Sequence, residues 1–441
     1  MTSTLIRNAT ILTLNDAWEI VEGAVSVRDA RIASIGRERA EPHDRVIDAA
    51  GGLLLPGFIQ THIHLCQTLF RGYADELKLM DWLRQRIWPM EAAHTPASLR
   101  AATRLACAEL LRGGTTSILT MESVHDTDAV FETATAMGIR ATIGKCMMDA
   151  PSPDAPARLR EDTRRSIDDS LALHRRWHDT AGGRIRSAFA PRFAVSCSRE
   201  LLEAIASLSS RELALVHTHA SEQREEIAIV RRETGKSNVE YLAEVGLAMP
   251  RLCAAHCVWV DEHERDLLAA HDVKVLHCPG SNLKLGSGIA AVPEMLAAGI
   301  CVSLGADGAA CNNHLDMFGE MRLATTLQAM RNGPGALTAR QALWMATRNG
   351  ARTLGLEHEI GSIQIGRRAD LILIDTSRPH LQPGPEPYST VAYAARPSDV
   401  RMTMVDGEIL VDEFTLANAD EREIAATARA EAGALARRAG L

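Results

Sequence analysis

Short alternating stretches open the chain, give way to continuous apolar runs, and then return. The first 55 residues read as strands, LIRNATILTL, AVSVRDARIASI and RVIDAAGGLLL, broken by Asn, Asp and Gly. The same texture reappears in ADLILIDT (369–376) and VRMTMVDGEILVD (400–412). Between them lie eight apolar runs: GFIQTHIH (57–64), TTSILTM (115–121), RATIGKCMMD (140–149), RIRSAFAPRF (184–193), ELALVHTHASE (212–222), RLCAAHCVWV (251–260), VKVLHCPGSN (273–282) and CVSLGADGAA (301–310). Helical stretches separate them, among them SLRAATRLACAELLRGG, DAVFETATAMG and VPEMLAAG, the last two ending in the Gly favoured beyond a helix C-terminus. Apolar strands that each precede a helix are what a helix-covered parallel sheet requires. Eight repeats predict an α/β fold of the (β/α)8 TIM-type barrel class, with an open doubly wound sheet as the alternative. The early and late strands are too few to bury a core separately, so they are expected to join into one small β-sandwich domain. The expected boundaries are 1–56 plus 364–415 for that domain, 57–363 for the barrel, and 416–441 for a terminal amphipathic helix.

Composition narrows the function. The chain has 441 residues, 46% apolar and 24% charged, which excludes disordered, collagenous and coiled-coil classes. Its net charge is −8, with both signs mixed along the chain, so no basic stripe exists to neutralise nucleic-acid phosphates. No apolar run reaches the 18 or so residues of a membrane span, and the start, MTSTLIRNATILTLND, lacks the pattern of an export signal. Nine cysteines without a C-x-x-C pair argue against a disulfide framework or a zinc knuckle. A cytoplasmic enzyme is the expectation.

In a barrel, functional groups sit at the C-terminal strand ends. Five of the eight ends carry groups suited to a metal: His62 and His64 on the first, His217 and His219 with Glu222 on the fifth, His256 on the sixth, His277 on the seventh and Asp307 on the eighth. Residues two apart on a strand face the same side, so an H-x-H pair can aim both imidazoles inward. Taken singly, each has a plainer reading: a hydrogen-bonded core histidine, or at Asp307-Gly308 a turn. Together they describe a site of nitrogens and one carboxylate with room for water, suited to activating that water. The segment GSGIAA at 286–291 does not open directly after its strand, as a dinucleotide fingerprint requires. H-E-x-x-H, and the H-x-E with P-C-x-x-C of cytidine-type deaminases, are absent.

These texts, PGFIQTHIHL, HTHASE, AAHC, HCPGSNLKLGSGIA, LGADGAACNNHLDMF and GSIQIGRRADLILID, occur in an order that resembles the amidohydrolase superfamily and, within it, the metal-dependent aminohydrolases. The resemblance implies that His62, His64, His219 and Asp307 hold one divalent metal ion, zinc or else iron. It implies that Glu222 shuttles protons and that His256 faces the activated water. Two-metal relatives place a lysine at the end of strand four; here the strand ends Ala190-Pro191-Arg192, favouring one ion, while Lys145 on strand three is expected to pack or form an ion pair. A homo-oligomer is expected on the same ground.

For the substrate, GIRATIGKCMMD and APRFAVSCS resemble guanine deaminases, which implies that Arg192 and Gln67 hold a purine. The texts DWLRQRIWPME and GADGAACNNHLDMF instead resemble deaminases of S-adenosylhomocysteine, methylthioadenosine or 5′-deoxyadenosine, with Glu91 meeting a ribose. LEHEIGSIQIGRRADLILID resembles s-triazine hydrolases. The expectation is a purine-type deaminase that releases ammonia, with guanine placed ahead of the 5′-modified adenosines and the triazines. A cyclic-amide hydrolase and a non-catalytic scaffold are the competing readings.

Overall fold

The computed structural model describes residues 3–38, 42–150 and 154–441. Eight parallel strands fall within the eight apolar runs: Phe58–His64, Thr115–Met121, Arg140–Met147, Ile185–Pro191, Val216–Ala220, Leu252–His256, Lys274–His277 and Val302–Leu304. Each pairs with the next in chain order. The eighth run is broken, and the break closes the barrel. Val302–Leu304 pairs with the seventh strand, whereas Asp307–Gly308, two residues on, pairs with Ile63 and His64 of the first. Gly305 lies in the break, where a Cβ would sit 2.5 Å from the His62 carbonyl oxygen, so only glycine allows the two strands to approach.

The strands are buried on both faces, and the covering helices begin and end where local chemistry dictates. Pro96–Arg112 starts with a Thr95–Ser98 capping box and Pro at its first position, then buries Leu99, Ala102, Ala106 and Leu110. Asp128–Met137 stops at Gly138, whose φ of 82° is left-handed. A buried Leu or Phe side chain on these faces contributes about 1.5–3 kcal/mol.

Both chain ends build one second, mixed sheet, in the order 415–416, 408–412, 400–405, 371–374, 53–56, 3–12, 20–28, 31–36, with 45–48 alongside 3–12. The early and late halves meet where Leu53–Pro56 runs antiparallel to Leu371–Ile374. Alternation sorts the faces: Leu371 and Leu373 join Ile6, Val25 and Met402, while Ile372 and Ile374 join the large core cluster shared with the barrel. Arg140, at the start of the third barrel strand, reaches Asp370 through Nε (2.8 Å) and Nη2 (3.0 Å), and Asp406 through Nη2 (2.5 Å). This buried fork ties the barrel's amino-terminal end to the sheet. A final helix, Glu421–Ala439, lies against Pro96–Arg112. Among the described residues, no helix is long and apolar enough to cross a membrane.

Candidate metal centre and active site

At the carboxy-terminal end of the barrel, residues from four strands converge. Backbone carbonyls decide which imidazole nitrogens face the centre. His64 Nδ1 donates to the Met121 carbonyl at 2.7 Å, and His219 Nδ1 donates to the Arg192 carbonyl at 2.7 Å. A carbonyl only accepts, so both Nε2 atoms are left as bare lone pairs. His62 Nδ1 lies 2.6 Å from His217 Nε2, and the hydrogen they share, when it rests on His62, bares the inward Nε2 of His62 too. That atom is buried and has no hydrogen-bond partner.

Asp307 Oδ1 stands 3.3 Å from His62 Nε2 and 3.2 Å from His64 Nε2, and the Nε2 atoms of His64 and His219 are 3.3 Å apart. Ligand bonds of about 2.0–2.2 Å at near-tetrahedral angles separate donor atoms by about 3.3–3.5 Å. The spacing therefore fits one divalent ion, and converging lone pairs beside a carboxylate are costly to bury without a cation between them. Burial lowers His62 to about 4, and burial beside other imidazoles holds His219 well below the ordinary value, so both are neutral, ligating forms at pH 7. Burial would raise Asp307, but the imidazoles of His62 and His64 hold it well below the usual carboxylate range.

Proton-handling groups ring this cluster. Glu222 follows the fifth strand and is almost wholly buried. Burial and the charge of Asp307 push its carboxyl up, against the opposing pull of His256 and Ser287, so it can carry a proton near neutrality. His256 Nε2 lies 3.6 Å from Glu222 Oε2 and 3.9 Å from Asp307 Oδ2. His256 and Asp307 both have left-handed backbones, φ 71° and 62°, a conformation costing roughly 1–3 kcal/mol for a non-glycine residue. That strain is held in place at the two strand ends that turn these side chains toward the centre.

Beside them a cavity of about 420 Å3 is walled by Leu79, Trp82, Leu83, Phe193 and Leu285 and by polar Gln67 and Arg192. That volume lies in the range of small-molecule sites. Arg192 is buried and committed to Glu91: Nη1 reaches Oε2 at 2.6 Å and Nη2 reaches Oε1 at 3.3 Å. Gln67 Nε2 donates to Glu91 Oε1 at 3.0 Å, which leaves Gln67 Oε1 without a partner. Gly308 has no Cβ because Gln67 occupies that space. Gln67, Glu91 and Arg192, three separate substrate contacts in the sequence reading, are thus one bonded unit.

The structure brings His62, His64, His219, Asp307, Glu222 and His256 together. His217 lies behind His62 rather than at the centre. His277 joins none of them; both of its ring nitrogens are buried without partners, and burial lowers it to about 3. Lys145 forms a buried pair with Glu161 at 2.5 Å, away from the centre. What the seventh strand contributes comes from the loop after it, where Ser281 Oγ donates to Asp307 Oδ2 at 2.7 Å, Asn282 Oδ1 meets His256 Nδ1 at 2.9 Å and Ser287 Oγ donates to Glu222 Oε1 at 2.9 Å. Reading the sequence gave none of these a role; their Ser, Asn and Gly density signals only a loop.

Residues 53–410 match the amidohydrolase family. The chain is 41% identical to a 5′-deoxyadenosine deaminase of Methanothermobacter thermautotrophicus over 436 residues, 98% of this chain and 99% of that one. It is 39% identical to a 5-methylthioadenosine/S-adenosylhomocysteine deaminase of Symbiobacterium thermophilum, with 98% and 99% covered. A zinc-bound adenosine deaminase from Xanthomonas campestris superposes with a TM-score of 0.92 at 33% identity, covering 99% of each chain. The Escherichia coli guanine deaminase is more distant, with a TM-score of 0.82 at 26% identity over 93% of this chain and all of that one. On the substrate, these findings favour the 5′-modified adenosines over guanine. The chain belongs to the amidohydrolase family, a metal-dependent family, and is a hydrolase of C–N bonds in cyclic amidines.

Proposed function

We propose that the protein is a single-metal, zinc-type deaminase of 5′-modified adenosines, of the 5′-deoxyadenosine and 5′-methylthioadenosine class, converting the 6-amino group to a carbonyl with release of ammonia. The observation that carries this reading is the Arg192–Glu91–Gln67 unit. A guanine site here would need Arg192 free to donate to the purine carbonyl, yet both terminal nitrogens of its guanidinium donate to Glu91. What the unit offers the cavity instead is an acceptor, Gln67 Oε1, suited to a hydroxyl hydrogen such as a ribose supplies. The 37–41% identity to deaminases of this class over nearly full length supports the same choice.

His62, His64, His219 and Asp307 would hold the ion, which lowers the pKa of a bound water toward about 7. Asp307 takes a proton from the attacking water through the carboxylate that Ser281 steadies. Glu222 protonates the ring nitrogen beside the reacting carbon, making that carbon electrophilic, and passes a second proton to the departing amine. His256 faces the oxygen on which negative charge develops. The flat wall of Trp82, Phe193 and the leucines seats the base and keeps bulk water out.

Ammonia release from 5′-deoxyadenosine, 5′-methylthioadenosine, S-adenosylhomocysteine, adenosine and guanine, measured in parallel with the zinc-loaded protein, tests the reading. A kcat/KM for 5′-modified adenosines at least ~100-fold above guanine is expected, since a site built for hydroxyl hydrogens rejects a ligand lacking them by such factors. Guanine turnover equal or faster overturns it.

A further inference from the structure

We propose that Ser287, oriented by Gln223, is a positioning residue that makes Glu222 a one-sided proton carrier, with the moving proton confined to Oε2. The chain of hydrogen bonds fixes its own direction. Gln223 Nε2 lies 3.1 Å from the Leu285 carbonyl oxygen and 3.1 Å from Ser287 Oγ. The carbonyl can only accept, so the nitrogen end of the amide must face this side, and Ser287 Oγ receives a hydrogen from it. The hydroxyl's own hydrogen is then directed to Glu222 Oε1, 2.9 Å away.

An oxygen that already accepts such a hydrogen bond is the poorer place for a second proton. When Glu222 is protonated, Oε1 remains the carbonyl-type oxygen and the proton sits on Oε2. That is the oxygen 3.6 Å from His256 Nε2, on the side of the centre. The main chain is fixed independently: Glu226, itself buried, accepts from Glu222 N at 2.8 Å and from Gln223 N at 3.4 Å. Backbone and carboxylate are thus held from two directions, and rotation about the last side-chain bond of Glu222, which would exchange the two oxygens, is opposed by Ser287. Ser287 lies on a turn between Gly286 and Gly288, both with positive φ (65° and 131°), and its own N–H is tied to the Asn282 carbonyl at 2.8 Å. The hydroxyl therefore has little freedom to follow a rotating carboxylate.

The readout rests on the deaminase reading, so kinetics are taken with whichever amino-heterocycle the wild type turns over fastest. Ser287→Ala is expected to lower kcat by about 10-fold or more with KM changed by less than about twofold, with metal content and melting temperature retained. The solvent deuterium effect on kcat should rise as proton transfer becomes slower, and Ser287→Thr, which keeps the hydroxyl, should restore most of the rate. Gln223→Met, which frees the hydroxyl without removing it, should give a smaller loss in kcat. A Ser287→Ala enzyme with kcat within about twofold of wild type overturns the proposal, as does failure of Ser287→Thr to recover the rate. If the wild type deaminates none of the compounds, the function reading fails, and a crystal structure of metal-loaded Ser287→Ala still decides this one. Glu222 in more than one carboxylate orientation supports it, and an unmoved carboxylate overturns it.

Discussion

Two buried arginine–carboxylate forks sit at opposite ends of the same barrel. Arg140, opening the third strand, grips Asp370 and Asp406 at the amino-terminal end. Arg192, just past the fourth strand, grips Glu91 at the carboxy-terminal end. The local chemistry is nearly the same: bidentate, charge-assisted, and with both partners almost fully buried. The surroundings differ. Arg140 is enclosed by two carboxylates and joins the barrel to the sheet, with no cavity beside it. Arg192 lines the cavity and shares its carboxylate with Gln67, which faces the same space. A buried ion pair by itself says little about function; the strand end on which it lies, and what it leaves unpaired, carries the meaning.

The difference between the two ends is expected to be greatest at the centre itself. Glu222→Gln should lower kcat by ~10²–10⁴ while the metal stays bound and the melting temperature barely moves. An active Glu222→Gln enzyme removes the shuttle role. Next in size, Arg140→Ala and Arg192→Ala each strand a buried carboxylate and should cost about 3–5 kcal/mol in urea unfolding. Only the second should also raise KM for the preferred nucleoside. Equal KM effects would erase the distinction drawn between the ends.

A third effect is about pH. Burial raises Glu320 to about 7, well above its ordinary 4.5, although it accepts from Gly280 N and Asn312. Below pH 4.5 the carboxyl is protonated in both folded and unfolded chains, and stability is full. Between 4.5 and 7 the unfolded chain releases the proton while the folded one keeps it, so stability falls by about 3 kcal/mol as pH rises through that window. Glu320→Gln should flatten this slope relative to wild type in denaturant titrations at pH 4.5 and 8; an unchanged slope contradicts the assignment. The smallest effect belongs to an exposed counterpart of the forks, Arg165–Asp169, 3.6 Å apart on one helix. Arg165→Ala should change stability by under about 0.5 kcal/mol.

Much of the fold is legible because continuous apolar strands and amphipathic helices announce themselves locally. All eight barrel strands lie inside runs chosen by hydrophobicity, and His62 and His64 read as an inward pair from their spacing alone. His217 and His219 form the same pattern, but spacing cannot say which of the two lies at the depth of the centre and which stands behind His62. His277 looked like its neighbours at the other strand ends, yet its ring nitrogens point into apolar surroundings. Gln67, Glu91 and Arg192 are 24 and 101 residues apart, and their mutual bonding is a matter of three-dimensional proximity. Ser281, Asn282 and Ser287 carry no signal beyond that of a loop, because a hydroxyl or amide acquires a role only from the group it meets.

The sequence by itself determined the periodicity, the barrel it implies, and the set of imidazoles and carboxylates available at the strand ends, since burial patterns and ligand chemistry are properties of residue type and spacing. The tertiary structure alone decided which of those groups share one centre, which nitrogen each turns inward, and that Arg192 is already engaged. Those outcomes depend on distances between segments far apart in the chain and on carbonyls such as Met121 and the backbone of Arg192 itself, whose direction is set only when the strands close into a ring.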